Sequence, residues 1–455
     1  MNKKLLTLAV AAALATPAIA SAEAIMYGRL HVSIDYVDVT NAIAPVANYL
    51  PANQGNPSYW ARNGENLGVV VPGVAGPVGA VAVAPQQVGG GSDFTGWGMT
   101  NGYIPRNAPV TGAGGGRASR LGVKGNEDLG NGLKAIYQIE FGINPTDSNN
   151  DLDNNADAIT MRNTFVGLGG DWGSFLVGRH DTPLKMSTGK LDLFADSLAD
   201  NNTTVGFNDI RADNVVAYIS PSFSGFNFSA AVVPAGGSNV LGSQNTEADS
   251  INAGWSLAAV YSNGPFYGSL AYESLGYELF NTNANNFGCA VNAASCTTSD
   301  TDWTKWRVGL GLLNWNGFSL TGIYENHDNI AGSDAYTSGS YDGVTWYLPG
   351  GPQKADLWQV QAAYSFGNSM IKAMYGQAEF SSDDLVPQLG LSPLAAQRLN
   401  DVYEGNRDTW GIGFEQNFSK RTKAYALYTD VSDDRADWTA GSEWSGFSLG
   451  MIHNF

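Results

Sequence analysis

The stretch Glu443–Phe455, EWSGFSLGMIHNF, decides the fold. Phe447, Leu449, Met451, His453 and Phe455 stand two residues apart, with Ser, Gly and Asn among the residues between them. Strict alternation over this length specifies a strand with one apolar face and one small or polar face. Chain ends normally fray into water and carry polar residues. A bare aromatic at position 455 therefore demands an apolar surface for that face to touch.

The same rhythm recurs upstream. In MYGRLHVSIDY, Met26, Gly28, Leu30, Val32, Ile34 and Tyr36 share one face, and Tyr27, Arg29, His31, Ser33 and Asp35 share the other. KAIYQIEFG sets Ala135, Tyr137, Ile139 and Phe141 against Lys134, Gln138 and Glu140. KWRVGLGLL sets Trp306, Val308, Leu310 and Leu312 against Lys305 and Arg307, and LWQVQAAYSF places Gln359 and Gln361 on the water side. Sixteen such segments run from residue 24 to the last residue. Short turns (EDLGNG, GGDWG, SNGP, NWNG, FGN) alternate with long polar connections. Hairpins that are short at one end and long at the other describe an all-β, 16-stranded antiparallel transmembrane barrel, with periplasmic turns and external loops. Closure is required because lipid offers no partner to an open sheet edge. A secreted β-sandwich or β-helix also uses alternating strands, but neither explains the short–long alternation.

Composition agrees. The 455 residues include 56 Gly, 20 Tyr, 19 Phe and 12 Trp, which suits many strands and tight turns better than helices. Lys3 and Lys4, an apolar run and Ala20-Ser21-Ala22 read as a secretory signal peptide over residues 1–22, so the barrel is expected to occupy 23–455. Cys289 and Cys296 fall in one external connection of an exported protein and are expected to form an intraloop disulfide. The acidic excess, 42 Asp and Glu against 24 Lys and Arg, falls mostly in the long connections. External acids of this kind suit hydration and divalent-cation bridges to lipopolysaccharide phosphates.

With these segments in hand, the sequence resembles the Gram-negative general porins, in the branch of the neisserial-type trimeric porins. MYGRLHVSIDY, SRLGVKGNEDLGNGLKAIYQIEFG, RNTFVGLGGDWGSFLVGRHDTPLK, DNVVAYISPSFSGFNF and the terminal GMIHNF carry the resemblance. It implies a water-filled homotrimeric channel for ions and small hydrophilic solutes. It also implies a third external loop, residues 181–212, folded into the lumen as a constriction. The end of the chain (Phe447, Leu449, Met451, Phe455) would be read by the barrel-assembly machinery. Arg29, Arg120, Arg162 and Arg179 match the family's basic wall, and Lys124 shares Arg120's face by the period-2 rule. Within the inward loop, KLDLFADSLAD reads as a short helix. Leu191, Phe194, Ala195 and Leu198 would pack on one side, with Asp192, Asp196 and Asp200 stacked at i, i+4 on another.

Two features depart from the family pattern. Ala217 stands where relatives often carry arginine, leaving Arg211 as a substitute rung. The first connection, 39–116, is unusually long; it reads either as a flexible surface segment or as a lid, hairpin or trimer-clasping arm. Three loop carboxylates facing a wall short of one rung lead to an expectation of modest cation selectivity.

Catalysis is not expected. Four histidines, His31, His180, His327 and His453, offer no convergent nucleophilic or metal-binding set. DLDNNAD departs from a calcium loop at Ala156 and Arg162, and the Gly-rich runs lack a phosphate-loop ending. No cofactor, metal or nucleic-acid partner is expected. Besides an unselective pore, a solute-selective channel and an adhesion or structural barrel occluded by the first loop remain open. Bilayer conductance separates them.

Overall fold

The computed structural model describes residues 23–43, 60–62, 65–67, 92–99, 119–143, 145, 159–235, 250–276, 279, 302–330, 336–341, 344–349, 353–381, 404–434 and 443–455. The signal-peptide reading (1–22), the acidic stretch 151–157 and the Cys289–Cys296 pair lie outside the described residues.

Strands β1 (Glu23–Ile43), β4 (Ser92–Met99), β5 (Arg120–Gly130), β6 (Leu133–Ile143), β7 (Ile159–Met161), β8 (Thr164–Gly170) and β9 (Gly173–Asp181) form the first half of the wall. The second half holds β10 (Arg211–Ile219), β11 (Phe226–Val233), β12 (Gly254–Asn263), β13 (Phe266–Leu275), β14 (Trp303–Trp315) and β15 (Phe318–Asp328). It continues through β18 (Lys354–Phe366), β19 (Ser369–Ser381), β20 (Gly405–Asn417), β21 (Thr422–Asp433) and β22 (Trp444–Asn454). Two small hairpins, β2 (Trp60–Arg62) with β3 (Glu65–Leu67) and β16 (Tyr336–Tyr341) with β17 (Val344–Pro349), pair outside this sheet.

Every neighbouring pair is antiparallel, and β1 pairs with β22 to close the wall. Eighteen segments fill sixteen positions, because two positions are split. β7 and β8 both pair with β6. β5 and β4 both lie along one edge of β1, β5 from Glu23 to Arg29 and β4 from Ile34 to Ile43. Between them Ser119 mends the ladder: its Oγ accepts from the His31 amide and donates to the His31 carbonyl, each at 2.9 Å. β4 falls inside 39–116, so part of that stretch belongs to the wall.

Face assignment follows the alternation. Leu449 is 45 % exposed on the outer surface while its neighbour Ser448 is fully buried inside. The seam explains the chain end. Gly28 and Phe455 exchange backbone hydrogen bonds of 3.0 Å in both directions. The Phe455 ring covers Gly28 so closely that a Cβ there would meet it at 2.2 Å. Phe447, Leu449 and Met451 continue this outer face opposite Tyr36, Ile34 and Val32. At the short-turn end, Asn131 and Gly132 both take positive φ (54° and 77°), the geometry that two-residue hairpins require.

The connection from β9 to β10 turns inward. It opens with helix α1 (Pro183–Thr188), whose N-cap Thr182 accepts from the Lys185 amide, and ends with α2 (Asn201–Thr204). Residues 190–200 are a chain of turns, and the expected helix there is not formed. Leu191, Phe194 and Leu198 are buried as expected, but Ala195 is exposed and Ala199 takes its place. Glycines make room for them: Leu191 sits over Gly309 and Gly311, Leu198 over Gly446 and Phe194 over Gly413. The loop is thus packed against β12–β15, β18–β22 and β1, which leaves the lumen bounded by the opposite wall, β1 and β5–β10.

Candidate pore constriction

Two banks of charge face each other across the remaining opening. On the wall, Arg29 and Tyr27 come from β1, Arg120 and Lys124 from β5, Gln138 and Glu140 from β6, and Arg162 from the break between β7 and β8. Antiparallel partners share a face, so the registers Arg29↔Arg120 and Tyr27↔Gly122↔Glu140 bring these side chains together. Arg162 Nε donates to Glu140 Oε1 at 2.7 Å, and Arg120 Nε lies 3.8 Å from Oε2. Lys124 rests 5.0 Å above the Tyr27 ring. Beside this row, Arg211 Nε donates to Asn163 Oδ1 (2.6 Å) and pairs with Asp181 (2.9 Å), which also holds Lys185 at 3.2 Å. Ala217 is buried in an apolar patch with Leu176, Val215 and Ala231.

On the loop bank the three carboxylates separate. Only Asp196 crosses to the wall, where it accepts from Arg29 Nη1 at 2.9 Å. It does so with φ of 60°, which breaks the helix that would have stacked the three. Asp192 turns into the loop and accepts from the Phe194 amide (2.9 Å), the Asn201 amide (3.3 Å) and Gln361 Nε2 (2.9 Å). Asp200 caps α2 through the Asn202 amide (2.9 Å) and accepts from the Asp196 amide (2.8 Å). The expectation that Asp192 and Asp200 face the arginines is therefore corrected: unpaired backbone N–H groups of a turn-rich loop claim both carboxylates.

Arg179 is also corrected. It pairs with Thr164, in the outward series of Val177 and Val166. Its guanidinium donates to Asp213 (2.5 Å) and the Met161 carbonyl (3.2 Å), while the neighbouring His180 takes the buried inner side. Gln361, expected in water, is 2 % exposed and donates to Asp192 while accepting from the Leu193 amide. Lys372 completes this anchor by donating to the Leu193 carbonyl and to Glu415, each at 2.6 Å. A recess of about 200 Å³ lies between the loop and the wall there, lined by Arg29, Asp196, Lys372, Glu415, Lys423 and Tyr425. Glu140, Tyr27 and Asp181 were not foreseen as site residues. The polar-face position of Glu140 was legible; its partners were not.

Burial, and then the neighbouring Asp192 charge, push the Asp200 carboxyl from an ordinary 3.8 up to about 7. Burial likewise raises Asp192. A raised carboxyl binds its proton more tightly in the folded loop than in the unfolded chain. The loop is then most stable below the ordinary value and loses stability as pH rises toward 7. Wild-type protein is expected to show faster hydrogen exchange over residues 190–204 as pH rises from about 4 to 7, after correction for intrinsic rates. Asp200→Asn should remove most of that change. Equal pH dependence in the two proteins would mean that Asp200 titrates normally.

A closed barrel of sixteen wall positions, with a loop packed inside and a charged gap left open, defines an outer-membrane channel fold. The chain belongs to the Gram-negative porin family, whose sequence pattern matches residues 7–436, and its place is the Gram-negative outer membrane. It is 32% identical over 343 residues to the major outer membrane protein P.IB of Neisseria meningitidis serogroup B, covering 74% of this chain and 83% of that one. It is 32% identical over 171 residues to an outer membrane porin protein of Bordetella pertussis, covering 34% of this chain and 42% of that protein, so that match spans under half of the relative's length. Among solved structures, the anion-selective porin from Comamonas acidovorans superposes with a TM-score of 0.56 at 18% identity, over 96% of this chain and all of that one.

Proposed function

We propose that the chain forms a passive diffusion pore for ions and small hydrophilic solutes with a modest preference for anions. One observation carries the sign: two of the three loop acids are turned away from the opening and the third is paired with Arg29. What faces the lumen is then Arg120, Arg162 and Lys124 against Glu140, while Arg211 and Lys185 are paired with Asp181. This replaces the cation preference expected from sequence, which assumed three lumenal carboxylates. Charges at the outer mouth act over only about 8–10 Å at physiological salt, so the constriction should decide. The anion selectivity in the name of the Comamonas porin agrees in direction.

Residues 23–455 would make one barrel, exported by way of residues 1–22 and assembled as a homotrimer after the machinery reads Phe455. Bridging of external acids to lipopolysaccharide through divalent cations fits the acidic composition. Reversal potentials across a KCl gradient in planar bilayers test the pore. A chloride-to-potassium permeability ratio of roughly 2, falling toward 1 as salt rises, is expected. A ratio below 1 would overturn the anion reading. Silence of correctly folded protein would favour an occluded structural barrel.

A further inference from the structure

Glu140 is a carboxylate of the basic wall whose partners lie on the same wall. It is 6 % exposed. Tyr27, Gly122 and Glu140 form one rung across β1, β5 and β6, and the middle position has no side chain. The Tyr27 ring lies over Gly122, where a Cβ would come within 2.6 Å of Cζ. That close approach carries the Tyr27 hydroxyl across two strands to donate to Glu140 Oε2 at 2.8 Å. From the other side Arg162 Nε donates to Oε1, and the Arg162 amide donates to the Glu140 carbonyl at 2.9 Å. Thr164 Oγ1 accepts from the Glu140 amide at 3.3 Å. Both carboxylate oxygens are thus held by fixed donors, and Arg120 sits at the edge of the cluster.

We propose that Glu140 is the specificity-setting acid of this pore: it orients Arg162 and Arg120, and its charge, inside the basic wall, limits how strongly the constriction favours anions. The acid pole opposing these two arginines lies in the same wall, because Asp196 serves Arg29 and the other loop acids are turned inward. The field therefore runs along the wall as well as across the opening. The proposal rests on reading the wall as the selectivity element of a diffusion pore.

Glu140→Gln keeps the shape and removes the charge. Its chloride-to-potassium permeability ratio should rise roughly twofold over wild type in the same KCl gradient. Glu140→Asp keeps the charge and should stay near the wild-type ratio. An unchanged ratio in the Gln variant, or an equal rise in the Asp variant, would overturn the proposal. Removing one end of a buried pair threatens folding more than removing both, so the Gln change is also made in an Arg162→Gln background. There it should again raise the ratio, and failure to do so would overturn the proposal independently. The comparison is between variants, so a cation-preferring wild type would defeat the anion reading and leave the Glu140 shift to be judged separately.

Discussion

Arg307→Met is expected to destabilise the barrel by about 3–5 kcal/mol, the usual cost of leaving a buried charge without its partner. The Arg307 side chain is 1 % exposed and joins three parts of the structure. Its Nε donates to Glu325 on β15, and its Nη1 donates to Asp209 at 2.6 Å and to Thr188 Oγ1 at 2.9 Å. Thr188 ends α1 and Asp209 lies on the return of the inward loop, so one guanidinium ties both legs of the loop to the wall. The Phe207 ring covers it at 5.4 Å. Methionine fills much of the volume but leaves the fully buried Glu325 with only His327 close by, at 2.6 Å, and a weak contact from the Asn208 amide. Urea titration of folded protein in detergent measures the loss. Adding Glu325→Gln should recover part of it, because removing both ends of a buried pair costs less than removing one. A loss below about 1 kcal/mol would place the loop's anchoring elsewhere, with Lys372 and Gln361 the next anchors to examine.

The wall was legible because its code is local. Side chains two apart share a face, so Leu449, Met451 and Phe455 could be assigned outward, and Arg29, Arg120 and Lys124 inward, without knowing what lay beside them. The closing seam followed from an even strand count. What stayed hidden depends on contacts distant in sequence. Asp192 accepts from Gln361, 169 positions away, and that contact, with the positive φ of Asp196, overrode the helical spacing of residues 190–200. Gln361 misled for the same reason: its parity was right, but the inward loop covers that half of the wall. Arg179 was carried by a short motif whose register against Thr164 places it outside. β4 went unread because Ser92–Met99 has no run of alternating apolar residues. The cation expectation lost its premise with the carboxylates: their number in the sequence was correct, and the direction in which backbone amides turned them was not visible there.

Leu310→Arg tests the sidedness on which every face assignment depends. Leu310 pairs with Gly268 on β13 and Gly322 on β15, and is 64 % exposed on the outer surface of β14. Trp306, Val308 and Leu312 share its face, whereas Lys305 and Arg307 are buried on the other. Glycine on both sides leaves nothing to shield a guanidinium from acyl chains. The expected cost is about 2–4 kcal/mol if the position lies near the bilayer midplane, where lipid can neither solvate nor pair the charge. Gln138→Arg is the control: Gln138 lies on the lumenal face of β6 beside Lys124. Water and Glu140 are close at hand there, so the cost should stay below about 1 kcal/mol, the range of ordinary exposed charge changes. Both are measured by reversible unfolding from phospholipid bilayers, since a detergent micelle would let the Leu310 variant reach water. Equal losses would mean that the outer face of β14 is not in contact with lipid, and the inward assignment of Lys305 and Arg307 would fall with it.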